Sequence, residues 1–207
     1  MNWRIFVIGL LFFACVDSSE GPRVDGKHSS AMGFAIAVPE SWLILDGKQV
    51  SENPDLFAGA FAGDDLQAVD QNVLSAVRAQ IEAGAVEFYY PDYDDGFGFR
   101  DNVSVQKSAS RVPQNESQLA EICLHLSTEL GKMFGRPVEV SACELRPLAD
   151  AQALYIQADG AVPSTKMMQY HIQKSRSVTL IVTGTSSMAS LDRLDRELGE
   201  LVQSIEF

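Results

Sequence analysis

Residues 166–174 read KMMQYHIQK, residues 176–183 read RSVTLIVT, and residues 190–207 read SLDRLDRELGELVQSIEF. In the first of these segments apolar and polar residues alternate. Its apolar set is Met168, Tyr170 and Ile172, and its polar set is Gln169, His171 and Gln173. This period of two predicts a strand with one buried face. The second segment predicts a neighbouring strand on the same grounds, and Gly184 with the Ser/Thr residues after it should end that strand.

The third segment changes period, because its apolar residues recur at intervals of three and four. They are Leu191, Leu194, Leu198, Leu201, Val202 and Ile205. This stripe predicts an amphipathic helix, and Ser187 or Ser190 can cap its first amides. A helix with one apolar stripe must cover something, and the preceding sheet is the obvious partner.

Earlier segments alternate strand and helix signals. Strands are predicted at 33–39, 42–45, 56–61, 86–90, 103–105, 138–145 and 153–157. One helix should run from Asp64 to about Gly84. A second should begin after Asn115, with Gln118 three residues on in a capping-box spacing, and end at Gly135.

Composition bounds the function. The chain has 207 residues, enough for one domain, with 16 basic and 28 acidic side chains. An acidic protein gains nothing from phosphate backbones, so nucleic acid is not an expected partner.

The N-terminus predicts export. Arg4 precedes an apolar run, residues 5–14, that is about half as long as the ~20 residues a membrane-spanning helix needs. Residues 1–14 therefore predict a signal peptide. Ala14 directly before Cys15 resembles the lipobox of bacterial lipoproteins, which implies lipidation at Cys15. An ordinary signal peptide with a Cys nearby is the alternative.

The domain plan follows from the residues after this signal. The polar residues up to Ser30 predict a flexible tether over 15–30, and residues 31–207 should form a single globular domain. We thus expect an anchored, periplasm-facing or otherwise extracytoplasmic protein of the bacterial cell envelope. The residue after Cys15 is Val16 rather than Asp, which resembles sorting to the outer membrane in a Gram-negative source.

Residues 33–42 read GFAIAVPESW, which resembles the GF-x-I-x-x-P-x-x-W opening of PsbP/Mog1/DcrB-like domains. The strand pair, helix and terminal SIEF of residues 204–207 look similar too. The resemblance implies an α+β fold, an antiparallel β-sheet with helices packed on its faces in an α/β/α sandwich. It also implies partner binding, and it supplies no catalytic residues to carry over.

Residues 91–102 read PDYDDGFGFRDN and leave three interpretations open. In these interpretations the residues are a solvated turn, a partner-binding loop or a calcium loop. The last lacks the EF-hand pattern, because Gly96 stands at the third ligand position. As a partner-binding loop it would present exposed aromatics beside charge. The candidate contacts are Tyr93, Asp94, Asp95, Phe97 and Phe99.

Two cysteines remain if Cys15 carries lipid. Cys123 faces the core side of its predicted helix and Cys143 lies on the strand that follows, so a Cys123–Cys143 disulfide is predicted in an oxidising compartment. The alternative is a pair of reduced thiols, with Cys143 on the opposite face.

The sequence contains no nucleophile elbow, P-loop or dinucleotide fingerprint, and we predict no catalytic residue, metal or cofactor. Two functions remain. One is a non-catalytic envelope lipoprotein that binds an envelope protein or a lipidic ligand. The other is a hydrolase-like envelope enzyme with an unrecognised active site.

Overall fold

The computed structural model describes residues 23–24, 26–53, 55, 71–91, 99–148 and 151–207. A small antiparallel sheet contains β1 (Arg23–Val24), β2 (Lys27–Ser30) and β3 (Phe34–Ile36). The main sheet contains β4 (Leu43–Leu45), β5 (Val86–Tyr90), β6 (Asn102–Ser108), β7 (Val140–Leu148), β8 (Ala151–Asp159), β9 (Thr165–Ser175) and β10 (Val178–Ser187). Its strand order is β4-β5-β6-β10-β9-β8-β7, and every pair is antiparallel. The helices of this described part are α1 (Gly47–Glu52), α2 (Gln71–Glu82), α3 (Glu116–Phe134) and α4 (Leu191–Gln203).

The β9–β10 hairpin lies near the centre of the main sheet, as the alternation predicts. The prediction that Gly184 ends β10 is wrong, because the strand continues to Ser187. The glycine serves close packing instead. A Cβ atom at Gly184 would lie 3.0 Å from Cδ2 of Leu198 on α4. The missing side chain therefore lets the helix approach the sheet.

One face of the main sheet, the front face, packs against α4 and the small sheet. Its core contains Phe34, Ile36, Trp42, Val105, Tyr155, Met168, Leu180, Val182, Leu194, Leu198 and Leu201. The leucine stripe of α4 is therefore core, as predicted. Burying these apolar side chains is the main favourable contribution to the stability of this half of the domain.

The opposite, back face is covered by α3 over β7 and β8, and by α1 and α2 near β4 and β5. Asn115 caps α3, since its side chain accepts a hydrogen bond from the N–H of Gln118 at 2.9 Å. Gly135 ends the helix in the left-handed conformation, at φ 67°. Both ends of α3 confirm the local signals in the sequence.

The flexible tether predicted over 15–30 is wrong for its last residues, because Lys27–Ser30 form β2. His28 and Ser30 are buried, and Ser30 Oγ donates a hydrogen bond to the buried carboxylate of Glu87 at 2.7 Å. Polar residues that look like a linker are thus matched by polar partners inside the fold. The folded part consequently begins before residue 31.

The strand predicted at 56–61 and the start of the helix predicted from Asp64 lie outside the described residues. The later part of that helix is present as α2, and Gly84 follows it with φ 63°. The short helix α1, capped by Asp46, has no counterpart among our predictions. No helix in the described ranges is long and apolar enough to cross a membrane.

Candidate functional site

The predicted partner-binding loop is described only at its flanks. Tyr93, Asp94, Asp95 and Phe97 lie outside the described residues. Phe99 is only 8% exposed, so this ring packs as a core side chain and does not face solvent. The prediction that Phe99 is an exposed contact of the partner-binding loop is therefore wrong.

Asp101 holds the end of this loop against the start of α4. Although a charged residue in a loop is usually exposed, Asp101 is buried. Its Oδ1 accepts hydrogen bonds from the N–H of Ser187 at 3.2 Å and from the hydroxyl of Ser190 at 2.8 Å. These donors compensate the desolvation that an isolated buried carboxylate would suffer.

Ser190 occupies the N-cap position of α4 but makes no side-chain bond to the helix amides, because its hydroxyl serves Asp101. Between Ser187 and Ser190, Met188 is 58% exposed. We call this edge of the sheet, formed by Phe99, Asp101 and the turn 187–190, the loop end. Hydrogen bonds from Ser187 and Ser190 to Asp101 fix the position of the residues that follow the predicted loop.

Cys123 and Cys143 form the predicted disulfide, with their Cα atoms 5.8 Å apart. The bond joins α3 to β7, the outermost strand of the main sheet. The alternative, with Cys143 on the opposite face, is therefore wrong. Since β7 has a neighbouring strand on one side only, the disulfide holds an edge strand of the sheet to the helix that covers it.

The central strands carry a polar strip on the back face, which consists of Asn102, Ser104, Gln169, His171, Thr183 and Thr185. Our prediction that only one face of β9 is buried is wrong, because Gln169 and His171 are 2% and 3% exposed. Gln169 Nε2 donates to Thr183 Oγ1 at 3.1 Å, and its Oε1 lies 3.2 Å from His171 Nε2. Cross-strand polar pairs thus satisfy each other where the alternation predicts solvent.

Burial lowers the pKa of His171 to about 4. The imidazole is therefore neutral at ordinary pH, and the strip carries no charge from it. A neutral, enclosed His bonded to Gln169 stabilises the sheet and is poorly placed to exchange protons with a substrate.

A second buried cluster joins the small sheet to the main sheet, and the sequence reasoning missed it. Glu87 is 1% exposed and accepts hydrogen bonds from Ser30 and from Tyr89, both at 2.7 Å. His28 Nε2 lies 3.5 Å from Glu87 and 3.8 Å from Asp46. Burial opposes ionisation of Glu87, but contacts with His28, Tyr89 and Ser30 hold the pKa of its carboxyl below the usual value. No local pattern connects these residues, which lie far apart in sequence.

Arg146 forms a third cluster on the front face beside α4. Its guanidinium carbon lies 3.3 Å from the ring centre of Tyr155, and its Nη1 donates to the hydroxyl of Tyr170 at 3.0 Å. Tyr155 in turn donates to Asp195 of α4 at 2.8 Å. The guanidinium of Arg146 covers the parts of the Tyr155 and Tyr170 rings that α4 does not cover. The main role of this cluster is therefore also structural.

Across the described ranges, no group of three or more His, Cys, Asp or Glu side chains could hold a metal ion. Glu87, Asp101 and His171 are buried and hydrogen-bonded to structural partners. The loop end differs from the surroundings of Glu87 and His171, because it combines a rigid base with exposed apolar surface.

Comparisons with known proteins bear on the fold. No protein-family model matches the chain, and no curated protein sequence matches it. The structure is similar to cyanobacterial PsbP (CyanoP) from Synechocystis, with a TM-score of 0.51 and 10% sequence identity over 92% of this chain and 98% of that chain. It is also similar to the Ran-binding protein Mog1p of Saccharomyces cerevisiae, with a TM-score of 0.49 and 9% identity over 87% of this chain and 93% of that chain. The likeness to cyanobacterial PsbP confirms the predicted PsbP-like α+β fold, and at 10% identity it extends to the fold alone.

Proposed function

We propose that this chain is a bacterial envelope lipoprotein. An acylated Cys15 holds it on the extracytoplasmic side of a membrane, the outer membrane in a Gram-negative source. The folded domain is non-catalytic and binds an envelope protein or a lipidic ligand.

The observation that carries the location is the Cys123–Cys143 bond. Structural disulfides persist in oxidising compartments such as the periplasm and are rare where thiols are kept reduced. The bond therefore supports export, in agreement with the signal-peptide pattern of residues 1–14. Ala14 before Cys15 adds the anchor to this argument.

Binding rather than catalysis is supported by the state of the titratable groups. His171 and Glu87 are buried and hydrogen-bonded to structural partners. His28 is buried beside the Glu87 carboxylate. A general base must instead reach the proton that it removes. The loop end offers what a partner needs, since Asp101 fixes the base of the loop and Met188 is exposed beside it. Exposed aromatic and methionine side chains on a rigid base are common features of contact surfaces.

The anchor is tested by expressing the full chain in a bacterial host and determining the mass of its mature N-terminus. We expect cleavage before Cys15 and the added mass of acyl chains, with both lost in Cys15→Ala. Cleavage elsewhere, or an unmodified Cys15, would refute the anchor and leave an ordinary exported protein.

Partner binding is tested by crosslinking the lipidated protein in native membranes and comparing Tyr93→Ala with Leu124→Ala. Leu124 is a suitable control because it is 75% exposed on α3, away from the loop end. We expect Tyr93→Ala to weaken partner capture while the thermal midpoint stays nearly unchanged, and Leu124→Ala to preserve capture. Equal capture by both variants, or a loss of stability in Tyr93→Ala by several kcal/mol, would contradict the proposed contact.

A further inference from the structure

Four cationic side chains gather around the turn between β9 and β10. They are Lys107, Arg111, Lys174 and Arg176, and we call this group the basic end. Arg176 lies in the turn itself, between Ser175 and Val178. Lys174 is the penultimate residue of β9. Lys107 on β6 is in register with Leu180 near the start of β10.

Hydrogen bonds on both sides of Arg111 place it in the same group. The N–H of Val112 donates to Gln173 Oε1 at 3.0 Å. The carbonyl of Ser110 accepts a hydrogen bond from Thr179 Oγ1 at 2.7 Å. The segment 110–112 is thus held to the last residues of β9 and the first of β10, which brings Arg111 to the turn.

The basic end has no neutralising partners within the described part of the chain. None of its four side chains lies within 4.0 Å of a carboxylate there, although Lys132 and Arg78 are paired with Glu129 and Glu82. Lys107, Arg111 and Arg176 are exposed. The chain as a whole carries a net charge of −12, so this concentration of unpaired positive charge is opposite in sign to the rest of the molecule.

The basic end also contacts the small sheet that contains the first described strands. Lys174 Nζ donates to the carbonyl of Met32 at 3.1 Å, and also to that of Gly33, in the turn between β2 and β3. The small sheet begins at Arg23, eight residues after Cys15. Even a fully extended chain of that length spans only about 29 Å. An acyl chain on Cys15 would therefore keep this side of the domain close to the bilayer.

We propose that the basic end rests on anionic phospholipid headgroups and orients the domain on its membrane. This inference depends on the lipid anchor of the proposed function. The acidic remainder of the domain is repelled by such a surface, so the orientation with the basic end on the membrane brings opposite charges together. The loop end lies at the other end of β10, beside Ser187, and a strand of 10 residues is about 33 Å long. The candidate partner-binding surface then faces away from the membrane.

The test is hydrogen–deuterium exchange on the full lipidated protein bound to vesicles. One preparation contains phosphatidylcholine alone, and the other contains equal parts phosphatidylcholine and phosphatidylglycerol. We expect slower amide exchange in residues 107–111 and 174–178 on the anionic vesicles only, with no change at 187–190. High salt should abolish the protection without any substitution, because it screens surface charges.

Two matched double variants distinguish the effect of the charge at the basic end from the effect of the net charge of the protein. Lys107→Glu/Arg176→Glu should lose the protection, whereas Lys132→Glu/Arg196→Glu, which changes the net charge equally at exposed sites elsewhere, should retain it. Equal protection on both vesicle types, or an equal response of the two variants, would overturn the proposal. Failure of the protein to bind phosphatidylcholine vesicles would instead refute the anchor.

If the lipid anchor is refuted in this way, the proposed binding of the basic end to anionic lipids can still be tested. The unanchored chain should bind the anionic vesicles alone. The first double variant should lower its binding constant by at least about thirtyfold, which is the loss expected from removing two cations near the surface, and its two added carboxylates should lower it further. Equal affinity of the unanchored chain for both vesicle types would overturn the proposal as well.

Discussion

Removing the disulfide should destabilise the domain substantially without changing its fold. The perturbation is Cys123→Ser/Cys143→Ser, which deletes the link between α3 and β7. The two cysteines are separated by 20 residues in sequence. The chain-entropy relation for a loop of that length gives about 3.3 kcal/mol of stabilisation at 25 °C. For a domain of this size, such a loss lowers the thermal midpoint by roughly 10 °C.

Urea unfolding of the oxidised protein and of the variant measures this difference directly. Adding a dithiol should lower the midpoint of the wild-type protein to that of the variant and leave the variant unchanged. If the variant loses less than about 1 kcal/mol, the link does not constrain the unfolded chain as the relation assumes. If the dithiol lowers both midpoints equally, the reductant acts elsewhere and the argument from α3 and β7 fails.

Three further substitutions test other parts of the fold by the same urea assay. Gly184→Val places a branched side chain where a single Cβ already lies 3.0 Å from Leu198 Cδ2, and this overpacking should cost about 1–3 kcal/mol; a stability equal to that of the wild type would contradict the close approach. Asn115→Ala removes the cap acceptor of α3 and should cost about 1 kcal/mol, whereas Asn115→Asp should retain it; equal losses would show that the cap is unimportant. Glu87→Gln should be less stable than the wild type at neutral pH. Because the folded pKa of Glu87 is lowered, its contribution is complete above the unfolded pKa of about 4.3 and is lost as the pH falls through the folded value, so the two midpoints should begin to converge once the pH falls below the unfolded value. If the two midpoints stay equally far apart from neutral pH to pH 3, the ionised carboxylate of Glu87 is not the source of the stability difference.

Elements with local signals could be predicted from the sequence. Helix α3 begins at an Asn that caps its own first turn and ends at a Gly with positive φ, and both signals act within a few residues. The β9–β10 hairpin follows from strict alternation, and α4 follows from its leucine stripe. In each case the residues that determine the structure are neighbours in the chain.

Features that depend on distant partners could not be predicted. The polar face of β9 predicts solvent exposure until Thr183 is known to lie beside Gln169. In the sequence, His28 belongs to a polar segment that resembles a linker. Its burial depends on Glu87, which is distant in the chain and lies beside it in the fold. In the sequence, Gly184 looks like the end of a strand. Its role in the close packing of α4 on the sheet is visible only in the structure. Asp101 likewise looks exposed because its donors, at Ser187 and Ser190, come more than eighty residues later.

The candidate site divides in the same way. The disulfide could be predicted by counting cysteines and placing one on a helix and the other on the returning strand. The burial of Phe99 could not, since nothing local distinguishes it from Phe97. The basic end is assembled from two separate stretches, 107–111 and 174–176, and their charges come together only because β6 and the β9–β10 hairpin are neighbours in the sheet.

The pairing of Ala35 with Glu206 joins the last described residues to the small sheet that contains the first described strands. The backbone N–H of Ala35 donates to the Glu206 carbonyl at 2.9 Å, and the reverse bond has the same length. β1 and residue 206 are then about three strand spacings, or roughly 14 Å, apart. A linker of about five residues could join them.

The molecule is therefore suited to circular permutation. A chain joined in this way and reopened at Arg176 would keep every strand pair of the main sheet, since that position lies in a turn. The same geometry affects protein engineering, because a fusion partner attached after Phe207 would emerge beside the N-terminal strands. Reporter domains are better inserted in the loop that joins β8 to β9, at the opposite end of the sheet.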